Sequence, residues 1–202
     1  RQGHEAGEAL ALHMDVDAIG FTGSTRVGRA MLGYAGQSNL KRVFNELGGK
    51  SAFIVFDDCD ALDRAVDAVA TGIFFNQGES CNAPSRLLVH ERVADEFVQR
   101  VVAQAAHWQP ADPLNPRTTM GALVDDAQLR NVLGFIDSAH AEGARCLTGG
   151  AQALAHTGGH YVQPTVFDQV RPDMAIATQE IFGPVLSVLR FNDEAEAAVS
   201  YT

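Results

Sequence analysis

Two periods of apolar and polar positions alternate along the chain, and each switch marks the end of a short strand or helix. Gly7 to His13 carries a helical pattern, and Ala18-Ile19-Gly20-Phe21-Thr22 is a short apolar run suited to a buried strand. Gly23-Ser24-Thr25-Arg26-Val27-Gly28 turns the chain into a helix expected over 26–35. Residues 41–47 and 52–56 are strand-like, separated by Gly48-Gly49. Asp60 is placed to cap a helix running to about Phe75, with Asp63 adding negative charge to its first turn. A polar loop follows, Asn76-Gln77-Gly78-Glu79-Ser80-Cys81.

Downstream, 86–90 is predicted as a strand and 93–108 as a long amphipathic helix. Residues 109–117 hold Pro110, Pro113 and Pro116 and form a loop. A helix over 125–142 and a short strand over 145–148 come next, then a Gly/Ala-rich surface excursion over 151–160. Residues 161–167 and 184–191 are strand-like, and 193–201 is helical. Strands and helices alternating at these lengths imply an α/β fold with a mostly parallel sheet. The chain opens at Arg1 rather than Met and stops at Thr202 inside a helical pattern, so it is expected to be an internal piece of a longer protein.

Composition narrows the function classes. With 46% apolar and 20% charged residues among 202, the chain has an ordinary globular balance and can bury a core. A formal charge of −10 argues against nucleic acid and anionic membrane as partners, since both need a basic surface. No apolar run reaches the roughly 20 residues of a membrane span. Cys59, Cys81 and Cys146 are an odd set without short paired spacing, which suits a reducing cytoplasm better than a disulfide scaffold. His156 and His160 sit four apart, but Thr157-Gly158-Gly159 between them breaks any helix that would align them, so no metal site is expected.

Three local features carry candidate chemistry. The turn at 23–28 offers free N–H groups and small residues to a phosphate, a weak signal by itself, since a plain strand-to-helix turn accounts for the same residues. It lacks the first two glycines of the usual dinucleotide fingerprint. Glu46 ends a strand just before Gly48-Gly49, where open α/β sheets place ligand sites, and a partly desolvated carboxylate there suits a general base. A solvated loop carboxylate fits the same residues. Gly48-Gly49-Lys50-Ser51 resembles the tail of a phosphate-binding P-loop, but Phe44 stands where that motif needs glycine. Of the cysteines, Cys146 lies beside Leu147 and looks buried, Cys59 lies among Asp57, Asp58 and Asp60, and Cys81 alone has a small polar setting compatible with an accessible thiolate.

Taken together and in order, Phe21-Thr22-Gly23-Ser24-Thr25…Gly28, Glu46-Leu47-Gly48-Gly49-Lys50-Ser51, Phe75-Asn76-Gln77-Gly78-Glu79-Ser80-Cys81 with Ser85-Arg86, and Glu180-Ile181-Phe182-Gly183-Pro184-Val185 resemble the aldehyde dehydrogenase superfamily along nearly the whole chain. The resemblance implies the end of a Rossmann-type coenzyme domain (1–48) followed by a three-layer α/β catalytic domain with a mostly parallel sheet (49–202), truncated at its C-terminal end. It implies NAD or NADP as cofactor, bordered by Gly23, Ser24, Thr25, Gly28 and Leu47, with Glu180 on the nicotinamide ribose and Phe182 near the ring. By the same resemblance Cys81 is the nucleophile and Glu46 the base that hydrolyses the thioester. Glu79 departs from the family pattern, which has Gln there, and puts a second carboxylate near the nucleophile.

Gly3-His4-Glu5-Ala6-Gly7, Trp108-Gln109-Pro110…Asp112-Pro113-Leu114 and Thr118-Thr119-Met120-Gly121 look like the bacterial γ-glutamyl-γ-aminobutyraldehyde dehydrogenases of putrescine breakdown. The implied partners are a small aldehyde and further copies of the chain, as a dimer or tetramer. Two rivals remain on the residues: a CoA-acylating semialdehyde dehydrogenase, against which Glu46 counts, and a non-catalytic nucleotide-binding scaffold, against which Glu46 and Cys81 together count.

In the family, the oxyanion is held by the nucleophile's N–H and by an asparagine side chain, which would fall upstream of residue 1. One such donor is worth about 2.7–4 kcal/mol. The 202-residue piece alone is therefore predicted to be inactive; sustained NADH formation from an aldehyde by this purified piece would contradict that.

Overall fold

The structure, a computed structural model, describes residues 2–201 and divides into two compact units, Arg1–Gly49 and Lys50–Thr202. The first unit is a strand–helix–strand wrapped by one more helix: α1 (Gln2–Leu12), β1 (Ala18–Gly23), α2 (Thr25–Gln37) and β2 (Arg42–Leu47). The strands pair in parallel, with Thr22 opposite Glu46 and Gly23 opposite Leu47. Ser24 begins α2 because its extended backbone and side-chain oxygen suit the cap, accepting from the Val27 N–H at 3.4 Å. Lys41 is buried and donates to the Ala11 carbonyl at 2.6 Å and to Ser38 Oγ at 2.7 Å, so its charge ties the end of α1 to the end of α2. The expectation of a buried β1 needs correcting: Ile19 and Phe21 are half-buried against the helices, and the alternate positions are exposed. A two-stranded sheet covered by helices on one side can shelter only every second residue.

The second unit is a three-layer α/β domain. Its strands are β3 (Ala52–Val55), β4 (Arg86–His90), β5 (Arg145–Thr148), β8 (Thr165–Asp168) and β9 (Val185–Phe191), in the order β3-β4-β9-β8-β5. Only β5 runs antiparallel. A separate hairpin pairs β6 (Gln152–Ala153) with β7 (Tyr161–Val162). Helices α3 (Leu62–Phe74) and α4 (Glu91–Ala105) cover one face, packing Val69, Ile73, Phe97 and Val101 against Leu87, Val89, Leu186 and Val188. Helices α5 (Asp126–Ala141) and α6 (Ala175–Thr178) cover the other, packing Val132, Ile136 and Ile176 against Leu88, Phe167, Val185 and Leu189. The last helix, α7 (Glu194–Tyr201), adds Ala197 to this second cluster. Strand β9 is apolar at both odd and even positions because both its faces are covered, as a central parallel strand requires.

Three expectations shift. The helix after Asp60 starts at Leu62, because the chain first turns at 56–59 (Cys59 N–H to the Phe56 carbonyl, 3.3 Å), and the cap falls on Ala61 with no side-chain bond. Residues 161–167 are two strands in different sheets, split at Gln163-Pro164, since proline has no N–H for a ladder. Helix α4 begins two residues early because His90 caps it, Nδ1 accepting from the Arg92 N–H at 3.2 Å.

At the C-terminal end of the central strand β9, Arg190 reaches Asp168 through Nη2 at 2.8 Å and Nε at 3.3 Å, and also meets Glu91 and Asp95. Asp168 is 3% exposed, and Arg190 is the cation it meets there. Arg190→Met is expected to cost about 3–5 kcal/mol in urea unfolding, as for other broken buried pairs. Removing the exposed Arg171–Asp173 pair should cost under about 1 kcal/mol. Equal effects would contradict the assignment.

Candidate active site

In the first unit, Glu46 is exposed on β2, and Leu47 beside it is half-buried against the start of α2. Gly28 is buried there; a Cβ would lie 2.6 Å from Leu47 Cδ2, so a larger residue would force the Leu47 side chain to move. Gly23, Ser24 and Thr25 are exposed at the helix N-terminus. Ser24 spends its side chain on the cap, and the N–H groups of Thr25 and Arg26 have no acceptor among the described residues. Beside them lies an open cavity of about 510 Å³ walled by α1, β1 and α2, with Leu10, Ile19, Phe21, Val27, Met31 and Tyr34 in its lining. Free donors next to an apolar slot fit a phosphate joined to a flat apolar base.

In the second unit, the Cys81 segment leaves α3 through Asn76, Gln77 and Gly78, three successive residues in the left-handed region (φ 50°, 57° and 72°). The strain at Asn76 is offset locally: its side chain donates to the Glu79 carbonyl and its own carbonyl accepts from the Glu79 N–H, both at 2.9 Å. Gly78 cannot be replaced, because a Cβ would stand 2.2 Å from the Gly183 carbonyl oxygen. This close approach brings the Cys81 segment against the segment that carries Glu180 and Phe182. Both segments feed strands, β4 and β9, that lie side by side in parallel, so both emerge at the same N-terminal edge of the sheet.

Cys81 itself is exposed, at a corner of the turn 80–83 closed by the Ala83 N–H to the Ser80 carbonyl at 3.1 Å. Its own N–H has no acceptor among the described residues, which leaves it available to an oxyanion. Cys146 is half-buried, its thiol pushed up by burial and hydrogen-bonded to the Thr148 carbonyl at 3.3 Å. Cys59 is half-buried against the α3/α4 core. Glu79 turns to the Val124 N–H at 3.1 Å, and burial pushes its carboxyl above the usual range, against the pull of the Val124 and Gln77 hydrogen bonds. Gln77 accepts from the Gly121 N–H at 2.9 Å, so alternate side chains of the segment lash it to 121–124.

Phe182 is 38% exposed and held at φ 57°, a costly conformation for a bulky residue. The hold comes from α5: Gln128 Nε2 donates to the carbonyls of Ile181 (2.9 Å) and Phe182 (2.7 Å), and Asn131 adds a bond to Ile181 at 3.2 Å. Sequence reading missed both residues; their only signal is a polar pair three apart on one helix face. It also passed over Lys50, whose amine is buried without a hydrogen-bond partner. Burial, then the nearby Arg86 charge, lower its pKa to about 7, with Glu180 opposing. Arg86 meanwhile donates to the Lys50 carbonyl through Nε (3.0 Å) and Nη2 (2.7 Å).

Among the described residues no three His, Cys, Asp or Glu side chains converge on a metal-sized site, and no helix is long and apolar enough to cross a membrane.

The aldehyde dehydrogenase family matches residues 1–201. The NADP/NAD-dependent aldehyde dehydrogenase PuuC of Escherichia coli (strain K12) is 51% identical over 195 residues, which are 96% of this chain and 39% of that protein. A gamma-glutamyl-gamma-aminobutyraldehyde dehydrogenase structure from Burkholderia cenocepacia J2315 is 53% identical with a TM-score of 0.95. An indole-3-acetaldehyde dehydrogenase of P. syringae, solved as a mutant in complex with NAD+ and IAA, is 51% identical with a TM-score of 0.96. Each match covers 98% of this chain and 40% of the solved one. The chain thus spans about two-fifths of the relatives it matches.

The Lys50 amine, with a pKa of 10.5 when unfolded and about 7 when folded, makes stability depend on pH. The cost of burying it is absent above about pH 10.5, grows as the pH falls, and is complete below about pH 7. Lys50→Met should therefore raise the denaturation midpoint most at pH 7 and below and lose that advantage towards pH 10.5. A pH-independent difference would contradict the buried amine.

Proposed function

The chain belongs to the aldehyde dehydrogenase family, and on that premise we propose that the whole protein oxidises an aldehyde to a carboxylic acid with NAD or NADP, Cys81 acting as nucleophile and Glu46 as base. The observation that carries this reading is the family's match along the whole chain, with an exposed thiol at the corner of a tightly held turn. Cys81 as thiolate adds to the aldehyde carbon, and its own N–H donates to the oxygen as that oxygen gains charge, giving a thiohemiacetal. The dinucleotide, when bound, supplies the hydride acceptor. The thioester then left on Cys81 is hydrolysed by water from which Glu46 takes a proton, releasing the acid and restoring the thiolate.

The N–H groups of Thr25 and Arg26, with Gly23, Ser24 and Gly28 around them, suit the phosphates of the dinucleotide, and the apolar slot between α1 and α2 suits its base. Leu47, Glu180 and Phe182 are assigned to the nicotinamide end, where the Gln128 amide holds the Phe182 carbonyl. The substrate is an extended amino- or amidoaldehyde of the γ-glutamyl-γ-aminobutyraldehyde kind, which the name of the Burkholderia relative supports. The working form is a cytoplasmic homo-oligomer, dimer or tetramer.

Glu46→Gln in the whole protein tests the division of labour. Thioester formation should survive as a burst of NADH near one equivalent per site, while the steady rate falls by about 10²–10⁴, the usual worth of a general base. Loss of the burst together with the steady rate would assign Glu46 elsewhere, and an unchanged steady rate would remove it from the mechanism.

A further inference from the structure

The residues flanking the thiol are both polar and are joined across it. Ser80 Oγ donates to Asn82 Oδ1 at 2.7 Å, linking the first and third residues of the turn whose second residue is Cys81. Neither Asn82 nor Cys81 is sheltered; both occupy the exposed corners of the turn. With its oxygen committed to Ser80, the Asn82 amide is oriented, and its two Nδ2 hydrogens have no acceptor among the described residues.

The turn beneath is rigid. Ala83 is buried, Pro84 packs so closely on Gly72 that a Cβ there would come within 2.7 Å of it, and the Ser85 N–H closes on the Ala83 carbonyl at 2.8 Å. The Ser85 carbonyl then accepts from the Ser187 N–H at 2.9 Å, fixing the turn to the central strand. A pre-oriented donor on such a base loses little conformational freedom when a ligand meets it.

We propose that Asn82 is a specificity-determining residue: its Nδ2 donates to an oxygen in the body of the aldehyde, beyond the reacting carbonyl, so the preferred substrates carry a hydrogen-bond acceptor there. This rests on Cys81 being the nucleophile. An apolar aldehyde of equal length leaves the oriented amide without a partner once water is displaced, and that penalty is the source of the discrimination. Ser80 acts through Asn82 as a positioning residue.

The test is steady-state kinetics on the whole protein with aldehydes matched in heavy-atom count: methoxyacetaldehyde against butanal, and γ-acetamidobutyraldehyde against octanal. The readout is the ratio of kcat/KM within each pair, compared between wild type and variant, so that intrinsic differences in electrophilicity cancel. Asn82→Leu is expected to lower the preference for the oxygenated member of at least one pair by roughly 3–10-fold, the worth of one net hydrogen bond. Ser80→Ala should lower it by a smaller factor in the same pair.

Ratios unchanged in Asn82→Leu overturn the inference. So does an equal fall in kcat for every aldehyde, which would place the amide on the reacting oxygen instead. Iodoacetamide labelling of Cys81 in each variant shows that the turn is intact. Turnover surviving Cys81→Ala would sink the nucleophile assignment and this inference with it, whereas unchanged ratios alongside an inactive Cys81→Ala sink this inference alone.

Discussion

The contact on which the thiol segment depends is the approach of Gly78 to the carbonyl of Gly183, a place where no side chain fits. Gly183 is itself pressed on Val132 of α5, where an added Cβ would come within 2.5 Å. The two glycines therefore form a stack: thiol segment, Phe182 segment, helix. The first level is backbone against backbone and the second is backbone against the Val132 side chain, so only the second has a rotamer that can give way. The left-handed conformations at Asn76, Gln77 and Phe182 follow from this crowding, since the chain must reverse direction on both sides of it without the room that extended residues need.

Amides on neighbouring elements meet the cost of those conformations. Gln128 and Asn131 reach over from α5, and Gln77 and Glu79 reach the other way to the backbone of 121–124. Glu79 supplies the acceptor for the Val124 N–H, so the carboxylate takes part in this lashing. Its carboxylate is drawn into that bond, and burial makes the charged form costlier than it would be in water, both of which bear on the second carboxylate that the sequence places near the thiol.

Much of the fold was legible because periodicity depends on local burial. The amphipathic helices α4 and α5 show it plainly, as their apolar positions face one covered side, and β9 shows the unbroken apolar run of a strand covered on both. The misplaced boundaries lie where capping competes locally: Asp60 has the better side chain, yet the turn before it shifts the cap to Ala61. The site motifs could be read because glycine spacing and the thiol's polar setting are written in contiguous residues. Gln128, Asn131 and Lys50 could not, since their roles come from partners some fifty residues away or from burial that only the tertiary fold creates. Nothing in Gly49-Lys50-Ser51 distinguishes a desolvated amine from a solvated one.

Because β9 lies between two helical layers, its consecutive residues belong to different apolar interiors: Leu186 and Val188 to the α3/α4 side, Val185 and Leu189 to the α5/α6 side. The sheet acts as a partition between two compartments with separate volume constraints. A methylene gained at one position must be compensated within its own compartment, and its sequence neighbour offers no help. Adjacent letters of this strand are thus free to drift independently, while residues far apart in the chain are obliged to change together.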